Sequence, residues 1–306
     1  MTRMIPVILC LALCAGCDNE AARREKRAQR LYYVVFRDLE EQVDSLPQTI
    51  EQYAGIAEEY GDTPSGRKAA VRHGQLVKAQ ALLAGSDSLG AGRRVPLYSR
   101  VDSVAPGYPP VVRTLGRHLY NSTYLASRRG AMTREPEVIR SVIETWGRQD
   151  SLWSKYEFRP TEQDKAWRDK LCRQATDVAR MLEGARRYAE ALQIVSRGLE
   201  YGVGDDAIAH ARVFASYYTF RSARYEEGVD LARKALDYEF LEEENRARAH
   251  HVIGLCFWRL SERRKQSSDL QKAIDALNEA LRIDPGLTPA RDLLKELRLY
   301  QKRNPA

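Results

Sequence analysis

Arg187-Tyr188-Ala189-Glu190-Ala191 and Arg224-Tyr225-Glu226-Glu227-Gly228 stand thirty-seven residues apart and follow one pattern: a cation, an aromatic ring, acid, then a small residue. Behind the first come Val195, Gly198 and Leu199; behind the second come Ala232, Ala235 and Leu236. Both sets recur at the three-and-four spacing of a helix face. A third segment carries Ala273, Leu277, Ala280 and Leu281 and closes on Asp284-Pro285. Ahead of each lies another helical stretch: Val178-Ala179 with Leu182, Phe214-Ala215 with Tyr218, and Ile253-Gly254 with Phe257. Each copy therefore reads as two helices joined by a turn. Small residues at Ala179, Ala215 and Gly254 let paired helices approach, and large ones a turn later fill the neighbouring groove. The copies are unequal, with extra residues around Gly204-Asp205-Asp206 and from Ser261 to Asp269.

These residues resemble the tetratricopeptide repeat (TPR), a helix-turn-helix unit of about 34 residues. The resemblance covers roughly residues 171–300, with Ala175, Ala211 and His250 where the family usually places tryptophan. It implies an all-α fold: a TPR-like helix-turn-helix solenoid over 161–306, preceded by an N-terminal helical region. Solenoids need a polar terminal element, and Thr288 to Tyr300 fits that place. Ala290, Leu293, Leu294, Leu297 and Tyr300 make one apolar stripe, with Arg291, Lys295, Glu296 and Arg298 facing water. The resemblance also implies a concave face lined by first helices. Its positions fall on Arg173, Thr176, Arg180 and Glu183, then Arg212, Ser216 and Thr219, then Arg248, His251, Leu255, Trp258 and Arg259. Arg173, Arg180, Arg212, Arg248, His251, Leu255, Trp258 and Arg259 form the candidate partner-binding groove, while His250 takes a core position.

Upstream, Ala21 to Leu46 has a helical period in Tyr32, Val35, Phe36, Leu39, Val43 and Leu46. A second helix is expected from Pro47 to Gly61, and a third after Asp62-Thr63-Pro64. Tyr60-Gly61-Asp62-Thr63-Pro64 is similar to the joint between repeats in some envelope-assembly lipoproteins, so 17–83 reads as helical and TPR-like. Between 84 and 110, Gly85, Gly90, Gly92, Pro96, Pro106, Gly107, Pro109 and Pro110 predict an irregular linker or loop. Residues 111–160 read as helices with no family match, and Thr161 is expected to cap the helix that follows.

The first residues differ from all of this. After Arg3, the run Met4 to Gly16 is apolar and too short to span a bilayer. A charged start, short apolar run and small residues before a cut describe a secretory signal. Leu13-Cys14-Ala15-Gly16-Cys17 resembles the lipobox of bacterial lipoproteins, with Cys14 in place of the usual leucine. The resemblance implies cleavage after residue 16, lipidation at Cys17, and a chain held at a bacterial membrane with its bulk outside the cytoplasm. Inner and outer membrane both stay open. Arg23, Arg24, Lys26, Arg27 and Arg30 follow against Glu25, a cluster that opposes export yet would attract anionic headgroups once exported.

Chemistry is sparse. The sequence has no phosphate-binding glycine loop, zinc-protease helix, nucleophile elbow or paired-cysteine metal site. Asp206 and His210 lie four apart, but two ligands do not make a metal site. No enzyme activity, cofactor, metal or small-molecule substrate is expected. Cys172 and Cys256 fall in apolar helical patterns and read as core residues. The function expected is a lipid-anchored envelope scaffold that mediates protein–protein interaction, its partners other envelope proteins offering extended acidic segments. With a net charge of +7, a cytoplasmic RNA-binding helical repeat is the alternative if the signal is false. An envelope enzyme with its site in 84–160 is another.

Overall fold

A computed structural model describes residues 5–36, 46–84, 91–155 and 162–303. Among them are thirteen helices and no strand, and the chain divides into two compact units, Met1–His118 and Leu119–Ala306. The boundary falls inside a helix, not in the 84–110 segment and not at 161. Thr161 lies outside the described residues.

The first unit contains α1 (Ile5–Val34), α2 (Leu46–Tyr60), α3 (Pro64–Leu83), α4 (Ala91–Val104) and the start of α5 (Pro109–Thr133). Helices α2 and α3 form a hairpin whose turn is Gly61-Asp62-Thr63. The Thr63 hydroxyl accepts from the Gly66 amide at 3.0 Å and donates to the Tyr60 carbonyl at 2.8 Å. It thereby ends one helix and starts the next. Any Cβ at Gly66 would collide with the Tyr60 carbonyl, so this joint requires glycine. Helix α1 is tied to the same joint: Arg24 pairs with Asp62 at 3.0 Å, and Glu25 accepts from the Ser65 amide and hydroxyl at 3.0 and 2.7 Å. Those bonds favour the charged carboxylate and hold Glu25 below the usual range. Ala28, Tyr53, Tyr60, Ala69, Leu76 and Val101 lie in the core beneath.

Helix α4 corrects the expectation of an irregular segment at 84–110. Most of the breakers fall where helices tolerate them. Gly92 is in the first turn of α4, and Pro106 and Gly107 lie between α4 and α5. Gly107 there takes φ 70°. Pro109 and Pro110 open α5, where a missing amide proton costs nothing. Pro96 alone sits inside the helix, and Val101, buried with Ala105 and Tyr108, anchors that end of the element. Gly85 and Gly90 lie outside the described residues.

The second unit is the repeat stack. Helices α7 (Glu162–Gly184) and α8 (Tyr188–Tyr201) form one pair, α9 (Asp205–Arg221) and α10 (Tyr225–Leu236) the next, and α11 (Glu243–Arg264) and α12 (Ser267–Ile283) the third. First helices pack on successive first helices, each second helix packs on the following first helix, and α13 (Thr288–Arg303) closes on α12. The TPR-like solenoid and its cap are therefore present as expected. Its turns repeat in detail. Arg186, Ala223 and Lys265 take φ of 59, 59 and 55°. The Arg187 amide donates to the Leu182 carbonyl at 2.9 Å as Arg224 donates to Thr219 at 3.1 Å, the left-handed ending that satisfies the last carbonyls of a helix. Arg187 then pairs with Glu190 at 2.6 Å, and Arg224 with Glu227 at 2.5 Å. The extra residues from Ser261 to Asp269 lengthen α11 and begin α12 instead of swelling the turn between them.

A left-handed turn residue also stands upstream of the three repeat pairs. Arg134, between α5 and α6 (Pro136–Lys155), also takes a left-handed φ of 54°. Buried Ile139, Val142 and Trp146 pack α6 on the α7 core. Gln149 and Gln174 are both buried and joined at 2.7 Å, and Gln174 reaches the Tyr120 carbonyl at 2.7 Å. Unlike the later pairs, α5 and α6 stay apart and leave a cavity of about 480 Å³ between Leu125, Arg129, Val138 and Ser141.

Close helix approach generates a paired prediction. A Cβ on Gly198 would meet the Ala175 methyl, and one on Gly254 would lie 2.7 Å from Leu277 Cγ, whereas one on Gly147 meets nothing within 4 Å. Gly198→Ala and Gly254→Ala are expected to lower stability by about 1–3 kcal/mol. Gly147→Ala, in the exposed middle of α6, should raise it by about 0.5–1 kcal/mol. Denaturant titration of the three variants checks both signs.

Candidate docking face

The first helices of the second unit present one shared face. On α7, Arg173, Asp177 and Arg180 follow at four and three residues. On α9, Asp206, His210 and Phe214 follow at four, and on α11 Asn245 and Arg248 stand beside them. At the centre lies Phe214, almost fully buried, with the Arg180 guanidinium 5.4 Å from its ring centre and that of Arg248 at 5.6 Å. Three consecutive first helices thus each contribute one side chain to a single cluster. Guanidinium groups over an aromatic face are attracted by its quadrupole, so the ring holds both cations in place. His210 stacks against the same ring at 5.2 Å.

Acids temper the face. Arg173 pairs with Asp206 across α7 and α9, Arg248 with Glu244 at 2.7 Å, and Arg259 with Glu262 at 2.7 Å. Among the described residues Arg180 makes no ion pair, although Asp177 is near enough to feel its charge. Desolvation raises the Asp177 carboxyl against the pull of Arg180 and His210. Asn245 Nδ2 stands 3.1 Å from His210 Nδ1 and 3.0 Å from Glu242 Oε2. An amide nitrogen carries only protons, so Nδ1 accepts and His210 is neutral. That state agrees with a pKa lowered by desolvation, which outweighs the opposing charges of Glu242 and Asp177.

The expected groove residues divide. Arg173, Arg180 and Arg248 lie on this face, and Arg180 and Arg248 meet over Phe214. Leu255, half-buried, and Arg259, exposed, continue the Arg248 stripe along α11. Arg212 does not join them: its guanidinium reaches the Lys234 carbonyl of α10 at 3.3 Å, and Ser216 and Thr219 are wholly buried. The register on α9 is displaced by two positions, so Phe214 takes the place assigned to Arg212. Trp258 is also corrected. It is 7% exposed and packs edge-on to Tyr300 of the cap at 5.3 Å, so it belongs to the core. His251 is half-buried and held neutral. His250 lies near Glu279 and Arg282 of α12. The sequence reading missed Phe214, His210, Asp177 and Asn245 as face residues, although the four-residue spacing of Asp206, His210 and Phe214 marks one helix side.

Other candidate chemistry does not converge. No group of three metal-ligating side chains occurs among the described residues. Cys172 and Cys256 are free, buried thiols, each pushed up to about 12 by burial. Cys17 lies within α1, its side chain outside the described ones, and no helix among the described residues is long and apolar enough to cross a membrane.

No family model and no curated protein matches this chain. Among solved structures it is similar to one titled "Human IFIT1 dimer with m7Gppp-AAAA", at 17% identity and a TM-score of 0.31, over 95% of this chain and 64% of that one. The chain thus spans less than two thirds of that neighbour's length. The fold assignment stands on the repeated pairs and turns described above.

The histidines give this unit an acid-sensitive stability. Burial lowers His210, His250 and His251, the last from 6.5 to about 4. Between those values the unfolded chain binds the proton and the folded chain does not, so stability present at neutral pH is lost as pH falls from 6.5 toward 4. His251→Gln is expected to flatten that fall by about 1–3 kcal/mol. Urea titrations of both proteins at pH 7 and pH 5 check it.

Proposed function

We propose that this chain is a protein-binding scaffold held at a bacterial membrane by a lipid on Cys17, with the first-helix face of the repeat stack as its docking surface. The observation that carries the docking assignment is the Arg180–Phe214–Arg248 cluster, in which three successive helices fix two cations on one ring. A stacked helical repeat suits an interaction scaffold in general, for protein or for RNA. An extended segment of another envelope protein is the occupant favoured here, because a shallow face along several helices suits a chain better than a small molecule. Arg180, with no ion pair among the described residues, gives that segment's acidic residues a point of attachment, and Leu255 gives it an apolar one. The lipobox residues Ala15, Gly16 and Cys17 support the anchor. The role proposed calls for no catalysis, cofactor or small-molecule substrate.

Two measurements test the two halves of this reading. Metabolic labelling with a palmitate analogue is expected to mark the wild-type chain and not Cys17→Ala; unlabelled, cytosolic wild-type protein overturns the anchor. Partners captured from solubilised envelopes then serve the second. Arg180→Glu with Arg248→Glu should slow association roughly tenfold and weaken its salt dependence, since exposed charge acts mainly on the encounter. Unchanged binding by that variant removes the face from consideration, and preferential capture of RNA by the wild-type face establishes the alternative reading.

A further inference from the structure

Helix α1 has two unlike sides. Ala28, Tyr32 and Val35 turn into the core of the first unit, and Arg24 and Glu25 bond to the turn before α3. On the opposite side Arg23, Arg27, Arg30 and Val34 recur at four, three and four residues, which at 3.6 residues per turn places them in one stripe. Lys26 and Tyr33 border it on one edge and Leu31 on the other. All seven are exposed, the apolar three at 39% for Leu31, 60% for Tyr33 and 47% for Val34. Neither the three stripe cations nor Lys26 at its edge makes an ion pair among the described residues, whereas Arg24 on the inner side does. The same helix runs without a break from Ile5 through the apolar residues to Gly16.

We infer that this outer side of α1 lies flat on an anionic lipid bilayer. Four cations match headgroup phosphates in charge. The large apolar side chains that follow them in the next turn, Leu31, Tyr33 and Val34, match the boundary between headgroup and acyl chain. Orientation follows from length. Arg23 and Arg30 are seven residues and about 10 Å apart along the axis, so only a helix parallel to the surface keeps every cation within the ~8 Å over which salt leaves attraction intact. An RNA strand would answer the cations but leave Leu31 and Val34 uncovered. The contact goes beyond the anchor proposed for Cys17 and does not depend on it, because the stripe acts on any chain whose α1 meets such a surface.

The test uses the full chain with Cys17→Ser, so that no acyl group contributes, in flotation with phosphatidylcholine vesicles with and without phosphatidylglycerol. The chain is expected to bind the anionic vesicles at least about tenfold more tightly than the neutral ones, with the gap closing as salt rises. Replacing Arg23, Lys26, Arg27 and Arg30 by glutamate should abolish the gap while leaving binding to neutral vesicles unchanged. Replacing Lys295, Arg298, Lys302 and Arg303 by glutamate changes net charge equally and should preserve it. No preference for anionic vesicles, or equal loss in both variants, overturns the inference. So does a stripe variant that keeps the preference, or one that loses affinity for single-stranded RNA and not for vesicles. Palmitate labelling of the wild-type chain reads the anchor separately, so failure of one does not imply failure of the other.

Discussion

The three repeat pairs of the second unit depend on how closely the two helices of a pair can approach. Gly198 lies against Ala175 and the Cys172 carbonyl, Gly228 against the Cys256 sulfur and the Ser216 carbonyl, and Gly254 against Leu277 and the Ala273 carbonyl. With no Cβ between them, backbones meet at distances that larger residues forbid, and dispersion contacts gather along the seam. Close approach fixes the angle within a pair, and the left-handed residues Arg186, Ala223 and Lys265 fix how the chain returns. Each completed pair then offers a set of apolar residues to the next, so a face shared by α7, α9 and α11 is a product of local rules applied three times.

On that face, charge is placed with economy. Most of the cations that sequence position puts there are answered by a carboxylate nearby, as Arg173 is by Asp206 and Arg248 by Glu244. The Phe214 ring supplies what those pairs cannot, an apolar platform that orients guanidinium groups without neutralising them. The outer side of α1 is the opposite case. There the cations make no ion pair among the described residues and their apolar neighbours lie outside the core, so charge and hydrophobic area stand together on one surface.

How far the sequence discloses this arrangement follows from what each signal measures. The Arg187 and Arg224 motifs mark the starts of second helices, because a turn with one hydrogen-bond pattern demands the same residues at the same offsets. The cap is legible for a similar reason: the stripe Ala290, Leu294 and Leu297 is buried as its period implies. Register on α9 is harder. Its apolar residues run around much of the helix, since α9 touches neighbours on several sides, and Arg212 and Phe214 become indistinguishable as face positions by periodicity alone. Helix α4 is hidden because the density of glycine and proline in 84–110 says nothing of where each falls within a turn. The turn between α5 and α6 is hidden for another reason: Arg134 is followed by Glu135-Pro136 and carries no copy of the motif that marks Arg187 and Arg224. The candidate site was therefore half legible: Arg180 and Arg248 are readable from repeat offsets, but the ring that joins them is not.

The cavity between α5 and α6 gives the second unit a direction. At the far end α13 seals the last pair with Leu294 and Leu297, and Trp258 and Tyr300 lock ring to ring. At the near end α5 and α6 stand apart, with an open cavity between them. In a structure whose elements touch only their neighbours, opening proceeds from whichever end costs less. Amide protons along α5 and α6 are thus expected to exchange through small, frequent fluctuations, while those of α11 and α12 should wait for the whole stack to come apart. The candidate docking face lies next to that loose end, so any partner that bridged α7 to α11 would clamp the stack against fraying.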